Sequence, residues 1–362
     1  MLVRLLTLCS LLLAFASEVR AGVVSLSDYW NGDEASLQEA FDQAAVDAGA
    51  EGIIRLGRRA YQTDRPLDLA GPVTVVGMGA TRSKIAYTGD RADAVVMLSG
   101  TGVRMSGLGI SGGGVAELGI SAGQVDDVTL HDVSVSKLGS ATSVGVLASS
   151  RGEQGLSIRS CTFRDFGLCG VFVGEGRQSF EISDCDFVRA GTDLVPRFGI
   201  LVEQDGAILP GGNSLITRNY VDVMGVASIA VSNVNGLTIS ENELLGGSSL
   251  DVSTQAVAIA DFSSDVEVSH NVLADLAGSV GVSVGQGKGP SVRIAVDNNA
   301  FTGFLQTGME VGDARDVSFT GNVFEFAPLS LFTTESAVDE IFVGDEGVGN
   351  EVLSPPSVSA TE

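Results

Sequence analysis

The sequence predicts an all-β chain wound as a solenoid of about ten coils with one helix at its start. Three observations carry that prediction. An eight-residue pattern recurs along the chain, clearest as LTISENEL (Leu237–Leu244), VEVSHNVL (Val266–Leu273), IAVDNNAF (Ile294–Phe301) and VSFTGNVF (Val317–Phe324). A second pattern, a small residue followed by apolar, any, apolar, falls between successive copies of the first. Composition agrees, because 44% hydrophobic residues with 6% aromatic and 47 glycines suit short strands and tight turns better than a helix bundle.

Before the repeats, Ser36 and Glu39 have the spacing of a capping box. Leu37, Ala40, Phe41, Ala44, Ala45 and Ala48 follow on one helical face, and Gly49 stops the helix. One helix over residues 36–48, ahead of a long strand-rich repeat, reads as a cap over the open core of the first coil.

The eight-residue frame is apolar, any, apolar, two polar or small residues, Asn, any, apolar. Alternation over its first positions marks a strand with one buried face, and the last apolar position opens a second strand after a bend. Earlier copies begin at Val73, Val103, Val128, Leu156, Phe180 and Ser214. Nine intervals between Met78 and Asn322 give a period of about 27 residues, which in strands and turns signals a solenoid. The third element is GVFV (Gly170), GILV (Gly199), SIAV (Ser228), AVAI (Ala256), GVSV (Gly281) and GMEV (Gly308). Three strands in the same order in every coil make three parallel sheets around one core, stacked at about 4.8 Å per coil.

The sixth position of the frame runs Met78, Leu108, Val133, Cys161, Cys185, Asn219, Asn242, Asn271, Asn299 and Asn322. Asparagine tolerates the left-handed backbone of a sharp bend, and stacked asparagines can satisfy buried turn amides, so an asparagine ladder is expected along this edge. Cys161 and Cys185 should stack with α-carbons about 4.8 Å apart. That spacing permits either a disulfide or an interior pair of thiols. Cys169 is left over.

At the N-terminus, Arg4 precedes an apolar run from Leu5 to Ala16, and Val19 and Ala21 fit cleavage before Gly22. Residues 1–21 therefore read as a signal peptide, which places the protein outside the cell or in the periplasm. The solenoid domain is expected over 22–352 and a disordered tail over 353–362. No later stretch could span a bilayer. With 21 basic against 45 acidic residues, the formal net charge is −24. Such a surface repels nucleic acid and anionic membranes and disfavours uronate polymers unless cations bridge them.

The helix, the glycine-rich stretch GIIRLGRRAYQTDRPLDLAGPVTVVGMG and the asparagine-bearing repeat together resemble the right-handed parallel β-helix superfamily of pectate lyases and related polysaccharide-active proteins. The match covers roughly Leu26 to Asn350. It implies a right-handed single-stranded parallel β-helix, a polysaccharide partner engaged by a monomer, and activity on the outer face of the third strands. Lyases, hydrolases, epimerases and non-catalytic proteins all share this fold.

On that face the outward residues are expected to be Ser121, Leu147, Phe172, Leu201, Ala230, Ala258, Ser283, Glu310 and Phe332. Three residues beyond each lies a polar position: Gln124, Ser150, Glu175, Gln204, Asn233, Asp261, Gln286, Asp313 and Glu335. A lyase needs a basic group near the sugar C5 proton, and Arg197, Arg177 and Arg151 flank third strands. Paired carboxylates suit hydrolysis or could bind Ca²⁺, and the candidates are Glu175 with Glu203 in adjacent coils and Glu310 with Asp313 in one coil, with Asp261 two coils earlier. Solvated surface acids and loop-bracing arginines are the alternative reading. The two histidines, His131 and His270, fall in distant coils, which argues against a triad or a histidine-rich metal centre. The alternative to an enzyme is a non-catalytic glycan-binding or scaffold protein.

Overall fold

The computed structural model describes residues 22–353, except 124, 150–154, 175–178, 190–194, 205–212, 223, 247–253, 275–278, 304, 326–330, 334–340 and 344–350. It is an all-β parallel solenoid of about ten turns with one short helix at its start. Every strand pairs in parallel with its counterpart one coil away. The expected signal peptide (1–21) and the expected tail beyond residue 353 lie outside the described residues.

Coils begin earlier than the eight-residue pattern shows. Val23–Ser25 pairs with Ile53–Arg55, which pairs with Thr74–Val76, so two first strands precede the copy at Val73. Between them runs the helix Leu37–Ala48, entered through a 3-10 turn at Glu34–Ser36. The capping box does not form. Ser36 already has near-helical backbone and its hydroxyl donates to Asn31 Oδ1 and the Asp33 carbonyl, while Asp33, one turn earlier, caps the entry by accepting the Ala35 N–H. Gly49 ends the helix at φ 77°. Leu37, Ala40, Phe41 and Ala44 are buried with Leu26, Ile54, Tyr61 and Leu67, so the helix lies across the open end of the core.

Inside the solenoid, the first and third positions of the frame stack into the core. Leu130, Ile158, Ile182, Ile216, Ile239 and Val268 are fully buried in register, each removal from water worth roughly 1.5–3 kcal/mol. Second strands add two ring stacks, Phe163 on Phe187 at 5.0 Å and Phe301 on Phe324 at 4.6 Å.

Left-handed backbone falls one residue before the expected place. Gly107, Asp132, Ser160, Asp184, Arg218, Glu241, His270, Asn298 and Gly321 have φ between 52° and 63°. The next residue, at position six, keeps ordinary backbone and turns its side chain inward. Asn219, Asn242, Asn271, Asn299 and Asn322 are buried there. Asn242, for instance, takes the Asn219 N–H on Oδ1 at 2.9 Å and sends Nδ2 to the Ile216 carbonyl at 3.0 Å and to Asn271 Oδ1 at 2.9 Å. The same set repeats at Asn271 and Asn299.

Met78 is not a member of this row. Five extra residues between Val76 and Lys84 turn it outward, 54% exposed, and Ser83 takes the corner instead. The Ser83 hydroxyl accepts the Met78 N–H at 2.9 Å and donates to the Gly57 carbonyl at 2.9 Å. Cys161, Cys169 and Cys185 are free, buried thiols.

Candidate functional site

Third strands form an 11-stranded sheet whose register puts Asp68, Met97, Ser121, Leu147, Phe172, Leu201, Ala230, Ala258, Ser283, Glu310 and Phe332 in one column. Neighbours on either side in the described strands, such as Val171 and Val173 or Ile200 and Val202, fill the core, so the column from Asp68 to Glu310 lies on the outer side of the sheet. The glycine two residues earlier has a packing reason. A Cβ on Gly170 would lie 2.4 Å from the Phe187 ring, and one on Gly281 2.4 Å from the Phe301 ring. Only glycine lets the third strand pass the second-strand phenylalanines.

The column divides into a shelf and a polar end. Leu147, Phe172, Leu201 and Ala258 are half-buried, with Ala230 lower between them. The Phe172 ring lies along its own strand over Gly174, where a Cβ would meet it at 2.5 Å. Beyond the shelf come Ser283 and Glu310, adjacent in register. Ser283 is fully buried and its hydroxyl has no hydrogen-bond partner. Buried hydroxyls are normally satisfied, so this orphan marks the polar end as unusual.

Glu203 is exposed at the end of its strand, two residues past Leu201 and in register with Gly174 and Ser232. Its proposed partner Glu175, with Arg151, Arg177, Gln124, Ser150 and Glu335, lies outside the described residues. Asp261 is occupied structurally. Its Oδ2 accepts the Ser232 hydroxyl at 3.0 Å and its Oδ1 accepts the Lys288 backbone N–H at 2.5 Å. Asp313 joins the same turn through its backbone, donating to the Gly285 carbonyl at 3.0 Å and accepting from Ser291 at 3.0 Å.

The candidates do not gather at one point. Four coils separate Glu203 from the coil of Glu310, about 19 Å. Arg197 immediately precedes the strand that Glu203 ends, six residues or about 20 Å away, with its guanidinium over the Phe198 ring at 5.5 Å. Among the described candidate carboxylates, only Glu310 and Asp313 belong to one coil. Among the described residues, no three His, Cys, Asp or Glu side chains come together as ligands for a metal ion.

Hydrogen bonds from Arg218 hold Asp184 below the usual carboxylate range, and those from Arg293 do the same for Asp265. Both acids sit at bends bordering first strands. Burial pushes the Cys169 thiol far up, and at Cys185 the contact with Cys161 leads, with burial adding to it.

Sequence reasoning missed Phe262. It is 48% exposed in the turn after the third strand of Ala258, beside Asp261. The glycine alternation of GQGKG (285–289) in the next coil was the available signal.

Residues 119–324, more than half of the chain, match the family model described as the right handed beta helix region. The chain belongs to this right-handed β-helix family. No curated protein sequence matches it. Among solved structures, the β-helix is similar to the tailspike protein of E. coli bacteriophage HK620, seen as an E372A mutant with a pentasaccharide, at TM-score 0.66 and 13% identity over 91% of this chain and 67% of that one. It is also similar to the Agl-KA catalytic domain, at TM-score 0.60 and 12% identity over 91% and 68%. A hyperthermoactive exopolygalacturonase from Thermotoga maritima aligns at TM-score 0.56 and 11% identity over 86% and 91%. At these identities the likeness is one of fold, and the chain spans about two thirds of the tailspike and Agl-KA chains. Among the described residues, no helix is long and apolar enough to cross a membrane.

Proposed function

We propose that this β-helix is an exported monomer that binds a polysaccharide along the outward face of its third-strand sheet. The observation that carries the proposal is the shelf. Leu147, Phe172, Leu201 and Ala258, half-exposed, stand with the buried Ala230 one above another at about 4.8 Å, on a face bordered by carboxylates. A continuous apolar strip with polar rims matches a sugar chain, whose rings present C–H faces flanked by hydroxyls. The tailspike and the exopolygalacturonase are β-helix proteins associated by their names with saccharides, which supports the class of ligand. The acidic surface favours a neutral polymer over a polyuronate.

Hydrolysis is the second reading, and Glu310 with Asp313 favours it. Three residues along one strand end span about 10 Å of backbone, so two carboxyl groups there can reach the separations used in glycoside hydrolysis. Glu203, Asp261 and Arg197, spread over several coils, would act in this reading as binding or bracing groups.

Affinity electrophoresis through gels containing neutral or uronate polysaccharides tests the binding, with reducing-sugar release and absorbance of unsaturated ends read in parallel. Retardation by a neutral polymer that weakens at least tenfold in Phe172→Ala supports the shelf. Retardation unchanged in Phe172→Ala and Leu201→Ser removes it. Sugar release that vanishes in Glu310→Gln moves the second reading to first place.

A further inference from the structure

The turn Asp261–Phe262 is held in a conformation that its aromatic residue does not favour. Both have left-handed backbone, φ 39° and 35°, which is costly for a bulky aromatic residue. The surroundings impose it. Asp261 is fixed by the Ser232 hydroxyl and the Lys288 N–H, and its carbonyl accepts the Asn233 N–H at 2.9 Å.

The next coil supplies a turn shaped to receive the pair. A Cβ on Gly287 would lie 2.2 Å from Asp261 Oδ1, and one on Gly289 would lie 2.2 Å from the Phe262 ring. Gly285 has φ 73°, and a Cβ there would meet the Asp313 carbonyl at 2.4 Å. Two of the three alternating glycines, Gly287 and Gly289, thus clear space for one carboxylate and one ring, and Gly285 clears it for the Asp313 backbone. The ring backs onto Gly289 and still leaves 48% of Phe262 exposed, the highest exposure of any described aromatic residue among the large exposed hydrophobics. A strained, braced phenylalanine offered to solvent has no packing purpose that would repay the strain.

We propose that Phe262 is a stacking platform for one ring of a neutral hexose polymer, set at the edge of the shelf beside its alanine step, Ala230–Ala258. This rests on the reading that the face binds polysaccharide, and adds to it the class of sugar and the residue that selects it. The negative face of an aromatic ring attracts the polarised C–H bonds of a hexose. A uronate carboxylate would be opposed by Asp261 next to the ring and by the acidic surface around it. The Asp261 oxygens and the half-buried Asn233 amide lie within the same turn network and can accept from and donate to sugar hydroxyls.

The test uses full-length protein and affinity electrophoresis in β-glucan, galactomannan, starch, alginate and polygalacturonate. Wild type should be retarded by at least one of the three neutral polymers. Phe262→Ala should weaken that interaction about five- to tenfold, and Phe262→Trp should retain it. The thermal midpoint of both variants should match or exceed wild type, because the side chain supports no core packing. Retardation equal in wild type and Phe262→Ala overturns the platform while leaving the shelf, which Phe172→Ala probes separately. Retardation by alginate or polygalacturonate alone overturns the sugar class. Retardation by none of the five overturns this proposal together with the reading beneath it.

Discussion

The same corner of the coil is built in two ways along one molecule. From Asn219 to Asn322 a buried amide fills it, and from Asn219 to Asn299 that amide bonds both neighbouring coils. At Leu108 and Val133 an apolar side chain fills it, and there the chain passes the corner as one strand, Arg104–Ser111 or Val128–Ser136. From Leu156 onward the strand breaks at the corner into two, as in Leu156–Arg159 and Thr162–Arg164. A broken ladder strands backbone groups, and a buried asparagine with two donors and an acceptor can satisfy them. An unbroken ladder satisfies them itself and leaves the corner free to take a hydrophobe. The backbone at the bend is left-handed in both halves, so the difference lies in who satisfies the polar groups rather than in the turn.

Exchanging the two solutions should be the most damaging test. Asn271→Leu places at this corner the residue type tolerated at position 108. It would leave the Asn242 N–H and Nδ2, the Ile239 carbonyl and Asn299 Oδ1 short of partners. At about 1–3 kcal/mol per stranded group, partly offset by apolar burial, the expected loss is about 4 kcal/mol in chemical denaturation. A loss under about 1 kcal/mol would mean that the amide row is incidental. Leu108→Ala should cost somewhat less, about 2–3 kcal/mol, because it opens a cavity and strands no polar group. A larger loss there than at Asn271 would reverse the comparison.

The period, the order of three strands and the outward column were readable because β-structure alternates side chains with period two, and a solenoid repeats that alternation in register. Position six was readable as a row but not as a backbone conformation. The left-handed residue is Asp, Ser, Arg, Glu, His, Asn or Gly in different coils, so no residue type announces it. Met78 fitted the pattern and is still outside the row, since five inserted residues hand the corner to Ser83. The capping box failed for a similar reason, a 3-10 turn that starts the helix one turn early. At the site, single positions were legible and their company was not. Asp261 looks like a catalytic acid in the sequence and is a brace in the structure, because its partners Ser232 and Lys288 come from coils about 28 residues away on either side. Phe262 escaped notice because its exposure and strain depend on the turn 285–289 of the next coil, and only the glycine alternation there signals them in the sequence.

Cys185 stands between the two solutions, and replacing it should have a smaller effect of opposite sign. Its sulfur accepts the Cys161 N–H at 3.4 Å and points to the Ile158 carbonyl at 3.6 Å, the partners an amide would have. Asn219 makes the equivalent bonds to Cys185 N at 3.0 Å and the Ile182 carbonyl at 2.9 Å. Cys185→Asn should therefore extend the row by one coil and stabilise the protein by about 1 kcal/mol, since two weak thiol contacts become amide hydrogen bonds. Destabilisation would show that the thiol is required by the packing of Cys161 against it.

The corner also has an outer row, and its contribution should be the smallest. Asp184 and Arg218 occupy the left-handed position of adjacent coils, directly outside Cys185 and Asn219, and form a two-pronged pair at 2.8 and 2.9 Å. Arg218 holds the Asp184 carboxyl below its usual range, so the folded state binds the proton more weakly than the unfolded chain does. The pair's stabilisation is then complete above about pH 4, the ordinary aspartate value, and disappears as pH falls through the lowered folded value. With side chains 43% and 50% exposed, solvent screens the attraction, and only a slight effect is expected. Asp184→Asn should lower the unfolding midpoint slightly at pH 6 and not at pH 2, and the gap at pH 6 should shrink in about 0.5 M salt. A gap that persists at pH 2 would mean that residue 184 acts through its left-handed backbone instead of its charge. The inner row would then be the only part of the corner whose chemistry distinguishes one half of the solenoid from the other.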